Sequence, residues 1–286
     1  MDKIKIISEP SESQPFIVLY KASGLPSAPI SADDEDNAFS LAAKLFPDVL
    51  TVSGRKAIEH GLLHRLDTVT SGLLMIATNQ AFYEHMLEEQ KNGRFIKYYE
   101  AECLDFQNNA ELLKGFPPVD FAARERLLCG QPVLISSYFR NYGAGQKEVR
   151  PVCQSSNPAA FKKIGKQVVY NTEIKLLEQL ATDELSQKVF PDVQTINNLS
   201  KNEELPKDTI TFECKLTAGY RHQVRAHLAW LGFPIIGDQV YNYKEKQTES
   251  QKDDDKKEST KNINNPQIHF TASKLTFTWK NKVFSF

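Results

Sequence analysis

The sequence predicts an α+β protein, and three observations lead there. Strand-like and helix-like segments do not alternate strictly, which argues against a doubly wound parallel sheet. Several stretches show two-residue alternation, and others carry capped apolar stripes at helical spacing. Finally, His64-Arg65-Leu66-Asp67 packs three polar residues between apolar runs, where a strand interior avoids charge unless it is paired or used.

Residues 1–15 are mostly polar and are expected to form a tail or a short edge segment. Residues 16–286 are expected to form one domain. Phe16–Tyr20 reads as a short strand, followed by a rigid Pro/Gly loop from Lys21 to Pro29. The acidic run Asp33–Asp36 precedes a helix near Ala38–Leu45, where Phe39, Ala42, Ala43 and Phe46 recur at helical spacing. Next comes the polar knot. Read as an extended strand, it places Arg65 and Asp67 on one face and His64 and Leu66 on the other. After a turn at Thr70-Ser71-Gly72, the apolar run Leu73–Ala77 predicts a strand buried on both faces.

Asn79 is placed to cap a helix running to about Asn92, with Gly93 just past its end. Arg94–Cys103 alternates as a strand, with Phe95, Lys97, Tyr99, Ala101 and Cys103 on one face. The stretch 105–165 mixes short strands with Gly/Pro turns in no readable order. Val168–Leu177 predicts a strand, and 178–208 has no period and reads as an insertion. Thr209–Leu216 alternates as a strand. Arg221–Leu231 predicts a helix with Val224, Leu228 and Leu231 as its apolar stripe and Gly232 as its stop. Residues 244–265, rich in Lys, Asp and Ser, read as a second insertion, a surface loop. The strand-like C-terminal stretch begins at Ile268.

Composition sets outer limits. With 286 residues, 41% hydrophobic and 25% charged, the chain is ordinary for a globular protein. No apolar run has the length of a membrane span, and the charged start does not resemble a signal peptide, so a cytoplasmic protein without membrane contact is expected. Cys103, Cys129, Cys153 and Cys214 lack paired spacing, which argues against a zinc site or a disulfide framework; they read as small core fillers. A net charge of −1 does not announce a nucleic-acid binder, but the acidic runs fall in solvated loops. Arginines gather elsewhere, at 65, 94, 124, 126, 140, 150, 221 and 225.

Three segments carry the chemistry: His64–Asp67, Lys97–Tyr99 and Gly219–His227. At these residues the sequence resembles the RluA-type pseudouridine synthases. His64–Leu74 is similar to that family's aspartate motif, and Lys97-Tyr98-Tyr99-Glu100-Ala101 to its tyrosine strand. Gly219–Leu228, continuing through Gly232–Asp238, resembles its arginine motif. Tyr20–Pro26 resembles the first motif, and Ile268–Ala272 with Leu275 and Phe277 the closing strand. The five motifs occur in the family's order over residues 16–280. In this chain Tyr220 stands where the motif usually has arginine, and Ala22 where it usually has proline.

The resemblance implies the pseudouridine synthase fold, a mixed and largely antiparallel central sheet with flanking helices and loops; the separate S4-type domain that many members carry is not expected before residue 16. It implies isomerisation of uridine to pseudouridine in ribosomal or transfer RNA, with no cofactor and no metal, by an enzyme expected to be a monomer. Breaking the N1–C1′ bond and joining C5 to C1′ returns the same base, so no redox group is needed. Asp67, Tyr99 and Arg225 are the implied catalytic residues. A carboxylate can attack carbon or take a proton, a guanidinium can grip it through two hydrogen bonds, and a tyrosine can stack on uracil. Arg65, Arg221 and His222 are the implied RNA contacts, Arg65 filling the space left by a flipped base and the other two meeting phosphate at a helix start.

Taken singly, each residue has a plainer reading. Asp67 could cap a turn, Tyr99 could be a core tyrosine, and Arg225 could be a helix-surface residue in a weak ion pair. A catalytically silent RNA-binding protein on the same fold is one alternative. A metal-dependent phosphodiesterase built on Asp67 and the histidines is another, but His64, His222, His227 and His269 fall on different elements without ligand spacing.

Overall fold

The computed structural model describes residues 3–105, 115–165, 167–179, 209–242 and 267–286. A ten-stranded sheet runs through it. The strands are β1 (Ile4–Ser8), β2 (Phe16–Lys21), β3 (Ser71–Ala77), β4 (Ile96–Leu104), β5 (Val133–Tyr142), β6 (Glu148–Val152), β7 (Tyr170–Gln179), β8 (Thr209–Leu216), β9 (Phe270–Trp279) and β10 (Lys282–Ser285). Their order across the sheet is β1-β2-β3-β9-β4-β8-β7-β5-β6, with β10 folded back on β9. The expected insertion at 244–265 lies outside the described residues, as does 178–208 apart from the end of β7.

Strand pairs are antiparallel except β3 with β9, which run parallel through Ser71↔Thr271 and Gly72↔Ala272. The mixed, largely antiparallel sheet is therefore as expected. Gly72 has φ of +118°, and a Cβ there would lie 2.3 Å from the Ala272 carbonyl oxygen. Only glycine lets the two backbones meet at this point.

The continuous apolar runs in β2 and β3 reflect burial on both faces. Ile17, Leu19, Leu74 and Ile76 enter the main core, beneath α1 (Ala38–Leu45), α3 (Phe121–Leu128) and α5 (Gln223–Trp230). Phe16, Val18, Leu73 and Met75 enter a second core with Phe82 and Met86 of α2 (Gln80–Lys91). β9 serves both cores. Phe270 and Ala272 face the first, Leu275 and Phe277 the second, and the change of parity falls at an irregularity opposite Tyr98 and Tyr99. An extra residue in one strand is what turns its side chains over.

The helix starts follow the caps. Asn37 accepts from Ser40 N and Asn79 from Phe82 N, while Asp120 opens α3 by accepting from Ala123 N. α3 and the short helix α4 (Pro158–Phe161) lie in the stretch whose order the sequence does not give.

Five expectations need correction. Of the alternatives for residues 1–15, the edge segment is observed rather than a tail, because Ile4–Ser8 pairs with β2. That pairing bears on position 22, where Ala22 donates its N–H to Lys3 O at 3.0 Å, a bond proline could not make. The polar knot is not a strand; only Leu62 makes a bridge, to Ile76, and residues 63–67 are an extended loop. The turn spans Asp67–Thr70, closed by Thr70 N to Asp67 O at 3.0 Å, whereas Ser71 and Gly72 already belong to β3. Of the four cysteines, all free, only Cys103 and Cys214 are buried. The arginines do not form one patch, because Arg124, Arg140 and Arg150 are buried.

Candidate active site

Asp67 is held in an irregular segment, so its backbone lacks the ladder that would satisfy a strand. The loop after β2 supplies the partners. Ser27 Oγ donates to Leu66 O at 2.8 Å and accepts from Leu66 N at 2.9 Å. Gly24 N donates to Thr68 O at 2.8 Å, and Ser23 Oγ to Val69 O at 2.6 Å. Lys21 Nζ reaches Leu25 O at 2.7 Å, Ala22 O at 3.1 Å and Thr68 O at 3.2 Å. Burial lowers the Lys21 pKa to about 8, while the nearby charge of Asp67 works the other way. Lys21 and Ser27 are thus supporting residues that the sequence reading quotes as motif or passes over. A buried lysine at a strand end, followed by small polar residues, was the available signal.

Arg225 comes from α5, all eight residues of which are buried. The helix has no solvated face, contrary to the amphipathic expectation, and its polar residues are each paired. Gln223 Nε2 donates to Asn171 O at 2.9 Å and Thr172 Oγ1 at 3.0 Å. His227 bonds the Ser137 and Thr172 hydroxyls, both at 2.8 Å. Burial drives the His227 pKa down to about 3, so the ring is neutral.

Arg225 itself bridges two carboxylates. Its Nη1 donates to Asp67 Oδ2 at 3.0 Å, and Nε and Nη2 donate to Asp238 Oδ2 and Oδ1 at 2.7 and 2.8 Å. Burial works against the guanidinium charge, but the hydrogen bonds and charge of Asp238, joined by Asp67, outweigh it and raise the Arg225 pKa further. The plainer reading of Arg225 as a surface residue is overturned, since its side chain is only 4% exposed. Asp238, fully buried, stands at the end of the arginine motif but was not singled out as a site residue. A lone carboxylate directly after a glycine was its only trace in the sequence.

Tyr99, on β4, shares a pocket with Asp67, Arg225, Leu216, His222 and Phe270. Its ring stacks on Phe270 at 5.2 Å between centroids and 17° between planes. Burial, then the Asp67 charge, raises the phenol's pKa, so it is protonated at neutral pH. His222 caps α5 in the left-handed conformation, φ 56°. Its Nε2 lies 3.7 Å from Asp67 Oδ2 and its Nδ1 3.1 Å from the Tyr241 hydroxyl. Burial comes first among the causes that lower its pKa to about 4.

The structure therefore brings Asp67, Tyr99, Arg225 and His222 together and leaves Arg65 and Arg221 further out. Arg65 lies at the pocket rim, 59% exposed, with Glu59 at 3.4 Å. Arg221 precedes the helix and is tied to the β5–β6 hairpin through Gln146 O and Asn141 Oδ1. The pocket opens into a cleft of about 1150 Å³. Seven Lys and Arg residues line that cleft against Glu59 and Asp67, so a chain of net charge −1 presents a strongly positive groove. Tyr220 lines the same cleft, stacked on Phe139 at 5.0 Å and 5°.

His64 accepts from Met75 N through Nε2 at 3.2 Å. Among the described residues no group of three His, Cys, Asp or Glu side chains could hold a metal ion, and no helix is long and apolar enough to cross a membrane.

The class that this sheet and pocket define is one with relatives. Residues 15–230 match the RNA pseudouridylate synthase family, and the chain belongs to that family. The chain is 23% identical over 237 residues to the human pseudouridylate synthase RPUSD2, covering 81% of this chain and 30% of that one. It is 27% identical over 238 residues to an RNA pseudouridine synthase of Mycoplasma pneumoniae, covering 82% of this chain and 55% of the other. It is 20% identical to the ribosomal large subunit pseudouridine synthase D of Buchnera aphidicola, over 80% of this chain and 52% of that one. The chain thus spans 30–55% of the length of these curated relatives. Its fold is that of human RNA pseudouridylate synthase domain containing 1, with a TM-score of 0.56 at 18% identity, covering 99% of this chain and 82% of that one.

Proposed function

We propose that this chain isomerises specific uridines in ribosomal or transfer RNA to pseudouridine, without a cofactor. The observation that carries the proposal is the convergence of Asp67, the Arg225–Asp238 pair and the Tyr99–Phe270 stack in one pocket of a positively charged cleft. A flipped uridine enters the pocket. Arg225 holds Asp67 in one orientation and Asp238 fixes Arg225, so the carboxylate needs no rearrangement when it acts as nucleophile or base. Tyr99 presents its ring to the uracil and, being protonated, a donor to the developing charge. The base detaches from C1′ with the bonding pair on N1, turns, and rejoins through C5; the C5 proton then leaves and N1 takes up a proton, so the product is an isomer of uridine.

Arg65, exposed at the rim, fills the gap in the RNA stack. Arg221 and His222 were implied as phosphate contacts. For Arg221 the rim position supports that role, whereas the 3.7 Å approach of His222 to Asp67 supports orienting the carboxylate instead. Four free cysteines fit work in a reducing compartment, the cytoplasm.

The test is to incubate the purified protein with unmodified ribosomal and transfer RNA and map pseudouridine by chemical labelling. New pseudouridine at discrete positions is expected. RNA binding with no conversion in any pool would refute the catalytic reading and leave the silent binding protein.

A further inference from the structure

Lys97 is the second residue of β4 and is 8% exposed. It lies on the same strand face as Tyr99, two residues and roughly 7 Å along the strand. Its ammonium has no carboxylate and no hydrogen-bond acceptor among the described residues. Burial is the main force against the Lys97 charge, and the Arg55 charge adds to it. The neighbouring His64 ring is neutral, its pKa lowered to about 3 by burial and by Lys97 itself. The Phe95 ring centroid lies 5.5 Å from Nζ. A buried charge of this kind is expensive and is ordinarily paired, and no carboxylate among the described residues pairs it.

What the ammonium does have is an opening. Lys97 lines the cleft that also holds Asp67, Tyr99 and His222, and a side chain at Gly219 would begin 3.6 Å from Nζ. That is an ordinary contact distance, so the Gly219 backbone borders the ammonium on the cleft side.

We propose that Lys97 is a phosphate seat, taking a phosphodiester oxygen of the RNA next to the nucleotide in the Asp67 pocket. The inference rests on the proposed RNA reading and adds the residue that registers the backbone against the pocket. The unpaired ammonium receives its counter-charge only when RNA is bound, so the cost carried by the free protein is recovered on binding. An ammonium is suited to this, being a compact point charge that a single phosphate oxygen can satisfy.

The experiment uses the full chain and unmodified transcripts of ribosomal and transfer RNA, comparing wild type with Lys97→Met and Lys97→Gln. Three quantities are read: RNA affinity against salt, pseudouridine formation and melting temperature. One phosphate contact contributes about 0.7 to the slope of log affinity against log salt for a single strand. Both variants are expected to lose about 0.7 of that slope and to bind RNA about tenfold or more weakly at low salt. Lys97→Met is expected to melt no lower than wild type, because it removes an unpaired buried charge. If Lys97→Met does not fold, Lys97→Gln supplies the slope.

Folded variants with the wild-type slope and affinity would overturn the proposal, as would a large fall in melting temperature with RNA binding unchanged, which marks a structural lysine. Failure of the wild type to form pseudouridine would overturn the proposed function but leave the phosphate contact legible in the slope.

Discussion

Asp238 and Asp67 grip the same guanidinium from opposite ends, and their burial predicts opposite consequences for the same substitution. Asp238 is 0% exposed and accepts two bonds from Arg225, at 2.7 and 2.8 Å. Its Oδ1 also accepts from Val240 N at 2.9 Å and Tyr241 N at 3.2 Å. Asp238→Asn leaves one oxygen for all four donors and turns an NH₂ group against them. Breaking one partner of a buried ion pair costs about 3–5 kcal/mol. The remaining oxygen and the bond from Arg225 to Asp67 place this change near the low end, at about 3 kcal/mol, or a melting temperature lower by roughly 6–12 °C.

Asp67 is 22% exposed and makes one bond to Arg225, at 3.0 Å. Asp67→Asn should therefore cost about 1 kcal/mol or less, yet abolish conversion while RNA affinity stays within a few-fold. Asp238→Asn should lower the conversion rate by about 100-fold, since a misplaced guanidinium no longer fixes the Asp67 carboxylate. Thermal unfolding and single-turnover pseudouridine formation measure both effects. If Asp67→Asn destabilised more than Asp238→Asn, or if Asp238→Asn kept its melting temperature, the view of Asp238 as the anchor of Arg225 would be refuted.

Three further outcomes are expected. Tyr220→Arg, which restores the residue common in the resembling motif, should break the stack on Phe139 and change which uridines are converted; an unchanged site profile would show that Tyr220 does not tune target choice. His64, His222 and His227 are held neutral by burial, with pKa values lowered to about 3, 4 and 3. Because the unfolded chain binds these protons first, stability should be full above pH 6.5 and fall by about 1.4 kcal/mol per pH unit per histidine below it, visible as a shift in urea midpoint that His227→Gln makes shallower. Asn79→Ala should cost about 1 kcal/mol by removing the cap of α2, with RNA conversion unaffected at temperatures below melting.

Local chemistry made some elements readable. α1 spans Ala38–Leu45 and β8 Thr209–Leu216 as the sequence indicates, because a cap or an alternation closes within a few residues. The double burial of β2 and β3 was visible as unbroken apolar runs. The loop at 63–67 resembles a strand in its mix of polar and apolar residue types, but Leu63 and Leu66 are buried and Arg65 exposed, an interval of three that strand alternation does not give. Its hydrogen-bond partners differ from a strand's as well: Leu66 is held by Ser27, 39 positions away. α5 was misread for a related reason. Gln223, Arg225 and His227 are residue types usually found at the surface, and only the fold shows Thr172, Asp238 and Ser137 set against them.

The misreading of that loop explains why the first motif exists. A carboxylate on a regular strand would stand perpendicular to the sheet, with its backbone bonds already committed to neighbours. The turn Asp67–Thr70 frees the aspartate to meet Arg225, at the cost of carbonyls at 66, 68 and 69 that no strand satisfies. Ser27, Gly24, Lys21 and Ser23 satisfy them. Two segments about 40 residues apart are thus one structural unit, one holding the backbone in place and the other presenting the side chain. Lys21 is buried for that purpose, and its partial loss of basicity follows from it. On this view Lys21→Met should disorder the Asp67 loop and impair conversion while β2 itself stays paired, an outcome that hydrogen exchange at residues 66–70 would resolve.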